Sequence, residues 1–237
     1  MEKTVLLEVI DSIAVITLNR PERHNSFCQD LLINLYDCLD EASQRDDVKV
    51  AVLTGRGKSF CSGIDLSVIG KDNLLDPRGD GKELPDVLLG FQKPLIGAVN
   101  GNAITGGFEL ALNCDFLIAS ENARFTDSHA KVGIHPGWGM TQLLQQAVGR
   151  RMAKQMSFTC KPLSAEDALR LGLVNEVVPL DRLMPRAMEI ARDISEVNQD
   201  ILRAMKRLIE MRDDVSLSAA WKAERDGFQD FVKKSGM

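Results

Sequence analysis

Apolar and polar positions first alternate with period two. Thr4 to Ile10 and Ile13 to Leu18 are β-rich runs on either side of Asp11-Ser12, and they predict a hairpin. The period then lengthens. Cys28, Leu31, Leu32, Leu35, Leu39 and Ala42 recur at helical spacing with acids and amides between them, which predicts an amphipathic helix. Val48 to Leu53, Pro94 to Val99, Asp115 to Ala119 and Leu173 to Val178 are short apolar runs that suit buried strands, and Ala123 to Thr126 suits a brief one. Between them, Asp86 to Phe91, Phe108 to Leu112, Thr141 to Val148 and Arg151 to Phe158 read as helices. Ser164-Ala165-Glu166-Asp167 opens another with a capping-box-like pattern, and Gly172 stops it. From Leu183 onward the strands cease. Leu183, Ala187, Ile190, Ala191 and Ile194 mark one amphipathic helix, Ile201 to Ile209 a second and Val215 to Val232 a third. The pattern therefore predicts an α/β core over 1–182 and a helical region over 183–237. An apolar helix stripe beyond the core must be covered, and a neighbouring subunit is the expected cover.

The stretch Gly97 to Ser120 organises the rest. It reads as strand end, glycine-rich turn, helix and strand. Thr105-Gly106-Gly107 opens the helix, where free amides and the macrodipole favour negative charge, and a missing Cβ lets a ligand approach the backbone. Glu109 follows within the first turn. This suits an oxyanion hole with an acid/base neighbour, while two glycines and a glutamate are common enough that, taken alone, they favour a tight strand–helix turn whose glutamate complements the dipole.

The loop from Thr54 to Leu66 invites two misreadings. Gly57-Lys58-Ser59 resembles the end of a phosphate-binding P-loop, but Val52 stands where its first glycine belongs. The hydrolase elbow G-x-S-x-G fails because Cys61 follows Ser59 at the second glycine position. What remains is an irregular connection, or a glycine-rich loop that turns an amide near Ile64 toward a ligand. Lys71 to Leu84 is rich in Asp, Gly, Pro and Lys and reads as a mobile surface loop suited to a lid. Asp127 to Met140 reads as a glycine-punctuated loop.

Composition narrows the classes. Hydrophobic residues make up 44% and charged residues 27%, as in ordinary globular proteins, and 237 residues suffice for a full core. A formal charge of −5 argues against non-specific nucleic-acid binding, while leaving room for a local basic patch. Five cysteines without a C-x-x-C pair indicate neither a disulfide framework nor zinc, and reduced thiols in an intracellular protein are the expectation. The acidic, alternating start MEKTVLLEVIDS is unlike a targeting peptide, no apolar run is long enough to span a membrane, and KKSGM is not an SKL-type signal; a cytoplasmic location is expected. His24, His129 and His135 lack helical metal-ligand spacing, so no metal is expected.

Taken in order, several motifs point one way. They are Leu18-Asn19-Arg20-Pro21 with Asn25; Phe60-Cys61-Ser62-Gly63-Ile64-Asp65-Leu66; Lys93-Pro94 through Asn100-Gly101; Gly106-Gly107-Phe108-Glu109-Leu110-Ala111; Cys114-Asp115; Ala123-Arg124-Phe125; Pro136-Gly137-Trp138-Gly139; and Ala165-Glu166 through Pro179. Each is weak alone, but as an ordered set the chain resembles the crotonase (enoyl-CoA hydratase/isomerase) superfamily over nearly its whole length. The resemblance implies a spiral of ββα units followed by helices that build a homotrimer, often a dimer of trimers (a homohexamer). It implies a lyase of fatty acid metabolism that takes an acyl-CoA thioester as substrate and needs no metal or redox cofactor. It implies an oxyanion hole from the amides of Ile64 and Gly106, with Glu109 as acid/base. CoA is expected near Arg20 to Asn25, with Arg23 the leading cation and Glu22, Ser62, Asp65 and Gly107 as further binding positions.

Two departures stand out. The second glutamate of the hydratase pattern falls, counting from Phe125, on His129. A neutral histidine could exchange a proton near its ordinary pKa of about 6.5 without simply replacing a carboxylate. Three outcomes are open: hydration shared by Glu109 and His129, a one-base double-bond isomerisation by Glu109, or acyl-CoA carriage with little chemistry. The chain also stops soon after Phe231-Val232-Lys233-Lys234, where many relatives continue through a helix that helps cover CoA.

Overall fold

The computed structural model describes residues 3–211 and 214–235, with side chains through Lys233. The hairpin forms as β1 (Val5–Ile10) and β2 (Ile13–Leu18), with Asp11 and Ser12 at positive φ so that Ile10 pairs with Ile13. Two consecutive left-handed residues match the twist of the flanking strands. Helix α1 (Gln29–Gln44) follows. Its start is not capped by its own sequence: the Gln29 amide donates to Asp72 Oδ2 at 2.9 Å, a carboxylate from a distant loop.

A strand–strand–helix unit then repeats three times. The units are β3 (Val50–Gly55), β4 (Ser59–Cys61) and α2 (Leu84–Gly90); β5 (Leu95–Val99), β6 (Asn102–Ile104) and α3 (Gly106–Leu112); and β7 (Phe116–Ser120), β8 (Arg124–Thr126) and α4 (His129–Val132). The first strand of each unit joins one sheet and the second strand joins another. Helices α5 (Met140–Val148), α6 (Arg150–Thr159) and α7 (Ala165–Leu171), strands β9 (Leu163–Ser164) and β10 (Glu176–Val178), and helix α8 (Leu180–Glu196) complete this part. The larger sheet has the order β1-β2-β3-β5-β7-β10, parallel except for the hairpin; the smaller has the order β4-β6-β8-β9. This is the expected α/β arrangement of ββα units. The sequence reading missed β4, β6, β9 and α4, each of four residues or fewer and without a period to detect.

Helices cover both faces of the larger sheet, which is why β3 is buried along its whole length. Val50 and Val52 point to one face and join Ile13, Ile96, Ala98 and Ile118 beneath Leu183, Ala187 and Ala191 of α8. Ala51 and Leu53 point to the other face and join the main core with Leu31, Leu35 and Phe108. The compact unit accordingly ends at Ser195, whereas the sequence pattern had set the division at 182/183, ahead of α8.

Several motif residues prove to be braces. Lys93 is buried and its ammonium donates to the carbonyls of Ala42 and Arg45 at the C-terminal end of α1, where the helix dipole favours a cation. Asp115 accepts the Leu95 amide, and Asn100 ties Gly55 to Gly57 and Ser59. Asn25 accepts from the Arg20 amide and donates to the carbonyls of Arg56, Ser59 and Phe60.

The loop expected to be mobile over Lys71–Leu84 is instead bound to α1. Gln29 spans to Asn73 and Pro77, while Arg78 lies over the Tyr36 ring and pairs with Asp37, Asp40 and Asp80. A guanidinium with three carboxylates around it explains why a stretch of such polar composition settles on one surface.

The second unit begins at Glu196 and holds α9 (Gln199–Glu210) and α10 (Leu217–Ser235). Asn198 caps α9 by accepting the amides of Asp200 and Ile201. Ile201, Met205 and Ile209 on α9, and Leu217, Trp221, Phe228 and Phe231 on α10, are exposed.

Candidate active site

The site grows from the turn between β6 and α3. Thr105, the residue before α3, sits at φ 52° and ψ −114°, an uncommon conformation for a β-branched side chain. Its amide bonds the Thr126 carbonyl at 2.8 Å and its hydroxyl bonds Ser128, so β8 and the segment after it hold the turn in place. The Thr105 carbonyl accepts the amides of Phe108 and Glu109. Among the described residues no hydrogen bond uses the amide of Gly106.

The Ile64 amide is freed by a different device. Phe27 bridges this segment in parallel fashion, with its amide on the Gly63 carbonyl at 2.7 Å and its carbonyl on the Asp65 amide at 2.9 Å. Such a bridge engages the residues on either side of Ile64 and turns its own N–H the other way. Gly63, at φ 83°, abuts the helix start: a Cβ there would stand 2.8 Å from the Ile104 carbonyl oxygen and 3.1 Å from the Gly106 nitrogen. The two amides predicted to act together are thus carried by touching segments. Gly107 does something else. A Cβ on it would lie 2.0 Å from the Cys61 carbonyl oxygen, so its bare backbone lets α3 pack on β4.

Glu109 is buried on α3. Its Oε1 accepts the amides of Trp138 at 2.9 Å and Met140 at 3.1 Å, and its Oε2 lies 3.6 Å from His129 Nε2. Asn113, one turn on, donates to the Trp138 carbonyl. The Pro136–Gly139 motif is therefore a loop docked on α3 through Glu109 and Asn113. Trp138 is further held by an edge contact with Phe27 and an indole hydrogen bond to Glu83.

His129 opens α4 and is buried. Its Nδ1 meets Asp127 Oδ1 at 2.8 Å, and the same oxygen accepts the His129 amide at 3.1 Å. Burial alone would depress the histidine's pKa, but the bond to Asp127 and the proximity of Glu109 outweigh it and raise the value to about 9. Asp127 stays below the usual carboxylate range despite its own burial, chiefly through His129. The sequence reading allowed a neutral histidine to exchange a proton; in the structure the two flanking carboxylates favour its protonated form. Asp127 was missed. Its one signal was an acid two residues before a histidine at a strand end, where both can turn to one side.

The positions expected to bind CoA, Gly107 apart, lie in and beside one short turn and the segment that follows β4. Glu22 and Arg23 are exposed in a single helical turn, Pro21–Arg23. The Ser62 amide donates to the His24 carbonyl, so Ser62 runs beside that turn. The Asp65 carboxylate is already engaged: one oxygen takes the Ser67 amide and hydroxyl, the other takes Arg20. Among the described residues no three His, Cys, Asp or Glu side chains group as a metal site, and no helix is long and apolar enough to cross a membrane.

Known proteins share this sequence pattern and fold. The family model for enoyl-CoA hydratase/isomerase matches residues 8–237. The chain belongs to the enoyl-CoA hydratase/isomerase family. It is 40% identical over 217 residues to a probable peroxisomal enoyl-CoA hydratase of Arabidopsis thaliana, covering 90% of this chain and 81% of that protein. A crystal structure of an enoyl-CoA hydratase from Bacillus anthracis superposes with a TM-score of 0.89 at 31% identity, covering 97% of this chain and 91% of that one. One from Mycobacterium paratuberculosis is 40% identical with a TM-score of 0.79, covering 99% and 100%. This family member thus has a crotonase-type fold and carries His129 beside Glu109.

Proposed function

We propose that the protein is an enoyl-CoA hydratase that adds water across the double bond of a 2-enoyl-CoA thioester. The observation that carries this reading is the approach of Glu109 Oε2 to His129 Nε2 at 3.6 Å, which pairs a carboxylate with an imidazolium. Glu109, its other oxygen tied down by two amides, takes a proton from water as the water oxygen bonds Cβ. The π electrons move toward the thioester, and the amides of Ile64 and Gly106 hold the enolate oxygen. One such donor contributes about 3 kcal/mol in a transition state. The enolate then takes the Nε2 proton of His129 at Cα. The proton on Glu109 returns to the neutral imidazole, and the site is restored. The reaction is a net addition of water, so neither a metal nor a redox cofactor is required.

The CoA moiety is assigned to the edge formed by Arg23, Glu22 and Ser62. The Asp65 carboxylate serves that edge indirectly by holding Arg20, and Gly107 serves it by fixing the helix start. The exposed apolar residues of α9 and α10 support a homotrimer or dimer of trimers. A one-base isomerase would use Glu109 alone and would leave the Asp127–His129 pair without work; a non-catalytic carrier would leave all three idle.

The test is loss of the conjugated-thioester absorbance with trans-2-enoyl-CoAs of short, medium and long chain, with Glu109→Gln and His129→Gln in parallel. Loss in the wild type that disappears in both variants supports hydration. Intact binding without loss removes the hydratase reading.

A further inference from the structure

We infer that Asp127 is a positioning residue: it fixes the His129 ring so that Nε2–H faces Glu109, and so makes His129 the proton donor of the reaction. The inference rests on the hydratase reading above for its consequence, and on geometry for its substance. Asp127 follows directly on β8, whose Thr126 carbonyl is bonded to the Thr105 amide. The next residue, Ser128, is bonded to the Thr105 hydroxyl. The carboxylate is therefore anchored to the same turn that presents Gly106. A single oxygen of Asp127 takes both the His129 amide and Nδ1, at 3.1 and 2.8 Å. Turning the ring over would remove Nδ1 from that oxygen and place a C–H edge against a buried carboxylate.

The charged groups facing His129 are few. Glu109 faces it from α3 and Asp127 from its own segment. Helix α6, packed on α4, contributes the neutral Ser157 hydroxyl toward Asp127, while its cations Arg150, Arg151 and Lys154 are exposed, as is Lys131 on α4. Two carboxylates and no buried cation thus surround the ring among the described residues. Asp127→Asn removes the charge and leaves only a neutral acceptor for Nδ1, so it loosens both the ring's orientation and its hold on the second proton. Asp127→Glu restores the charge at a different reach.

The first measurement needs no variant. In wild-type protein with ¹⁵N-labelled histidine, the resonances lost in His129→Gln identify the ring, and both its nitrogens must carry protons at pH 7; a neutral ring would overturn the inference. The second compares wild type, Asp127→Asn and Asp127→Glu. The His129 midpoint should fall in Asp127→Asn toward the ordinary histidine value of about 6.5. The upper limb of the kcat/KM profile should move down with it, kcat at pH 8 should drop at least about tenfold with KM little changed, and Asp127→Glu should recover part of both. Hydration with an unmoved midpoint and an unmoved limb would overturn the positioning role. A midpoint that falls in a protein whose wild type hydrates nothing would instead sink the hydratase reading and leave the positioning intact.

Discussion

Glu109 and His129 meet at 3.6 Å between Oε2 and Nε2, although they stand twenty positions apart with two strands and a helix terminus between them. Neither is free to move away. Glu109 is pinned through Oε1 by the Trp138 and Met140 amides, and His129 is pinned through Nδ1 by Asp127. Each thus offers one untied atom to the space between them, which is the arrangement a water-adding site needs.

Glu109→Gln removes the base but keeps an acceptor for the two amides. Turnover of a trans-2-enoyl-CoA should fall by about 10²- to 10⁴-fold while the circular dichroism spectrum and melting temperature stay close to wild type. Retained turnover would show that Glu109 is not the base.

The raised pKa of His129 also bears on stability. Its folded value of about 9 exceeds the ordinary value of about 6.5 expected in the unfolded chain, so the folded state binds its proton more tightly. The resulting stabilisation is fully present below about pH 6.5 and is lost as pH rises through about 9. Denaturant midpoints between pH 6 and 10 should fall more steeply for wild type than for His129→Gln; equal slopes would show that the histidine does not titrate there.

Gly107→Ala should be severe. The added methyl would meet the Cys61 carbonyl oxygen at 2.0 Å, and both partners are backbone, so neither can swing aside. A loss of at least about 3 kcal/mol, read from urea unfolding, is expected. Gly137→Ala, where a Cβ meets nothing within 4 Å, is the control.

Lys93→Met keeps the length of the side chain but withdraws the ammonium from the Ala42 and Arg45 carbonyls. Two charge-assisted bonds at a helix C-terminus are lost, and a destabilisation of about 2 kcal/mol is expected by the same unfolding measurement. An unchanged midpoint would show that the buried ammonium contributes nothing.

The hairpin, α1, the apolar strands and the terminal helices were legible in the sequence because each carries its own period, turn chemistry or unbroken apolar run. The Asp11-Ser12 turn and the Ser164 cap are local events: the first needs two left-handed residues, the second one hydroxyl within reach of the Asp167 amide. The sequence singled out Glu109, Gly106 and the amide near Ile64 with two readings each, and only the ordered motif set chose between them. The tertiary structure decided the rest. The cap of α1 comes from Asp72, and the lid-like loop is held by Arg78. The protonated form of His129 is favoured because Glu109 arrives beside it from α3 while Asp127, two residues before it, turns onto its ring. A residue's period is set by its neighbours in the chain, so sequence alone reveals it. A residue's charge state is set by burial and by the charges folding brings within a few ångströms, and those distances exist only once the two sheets and their helices have packed.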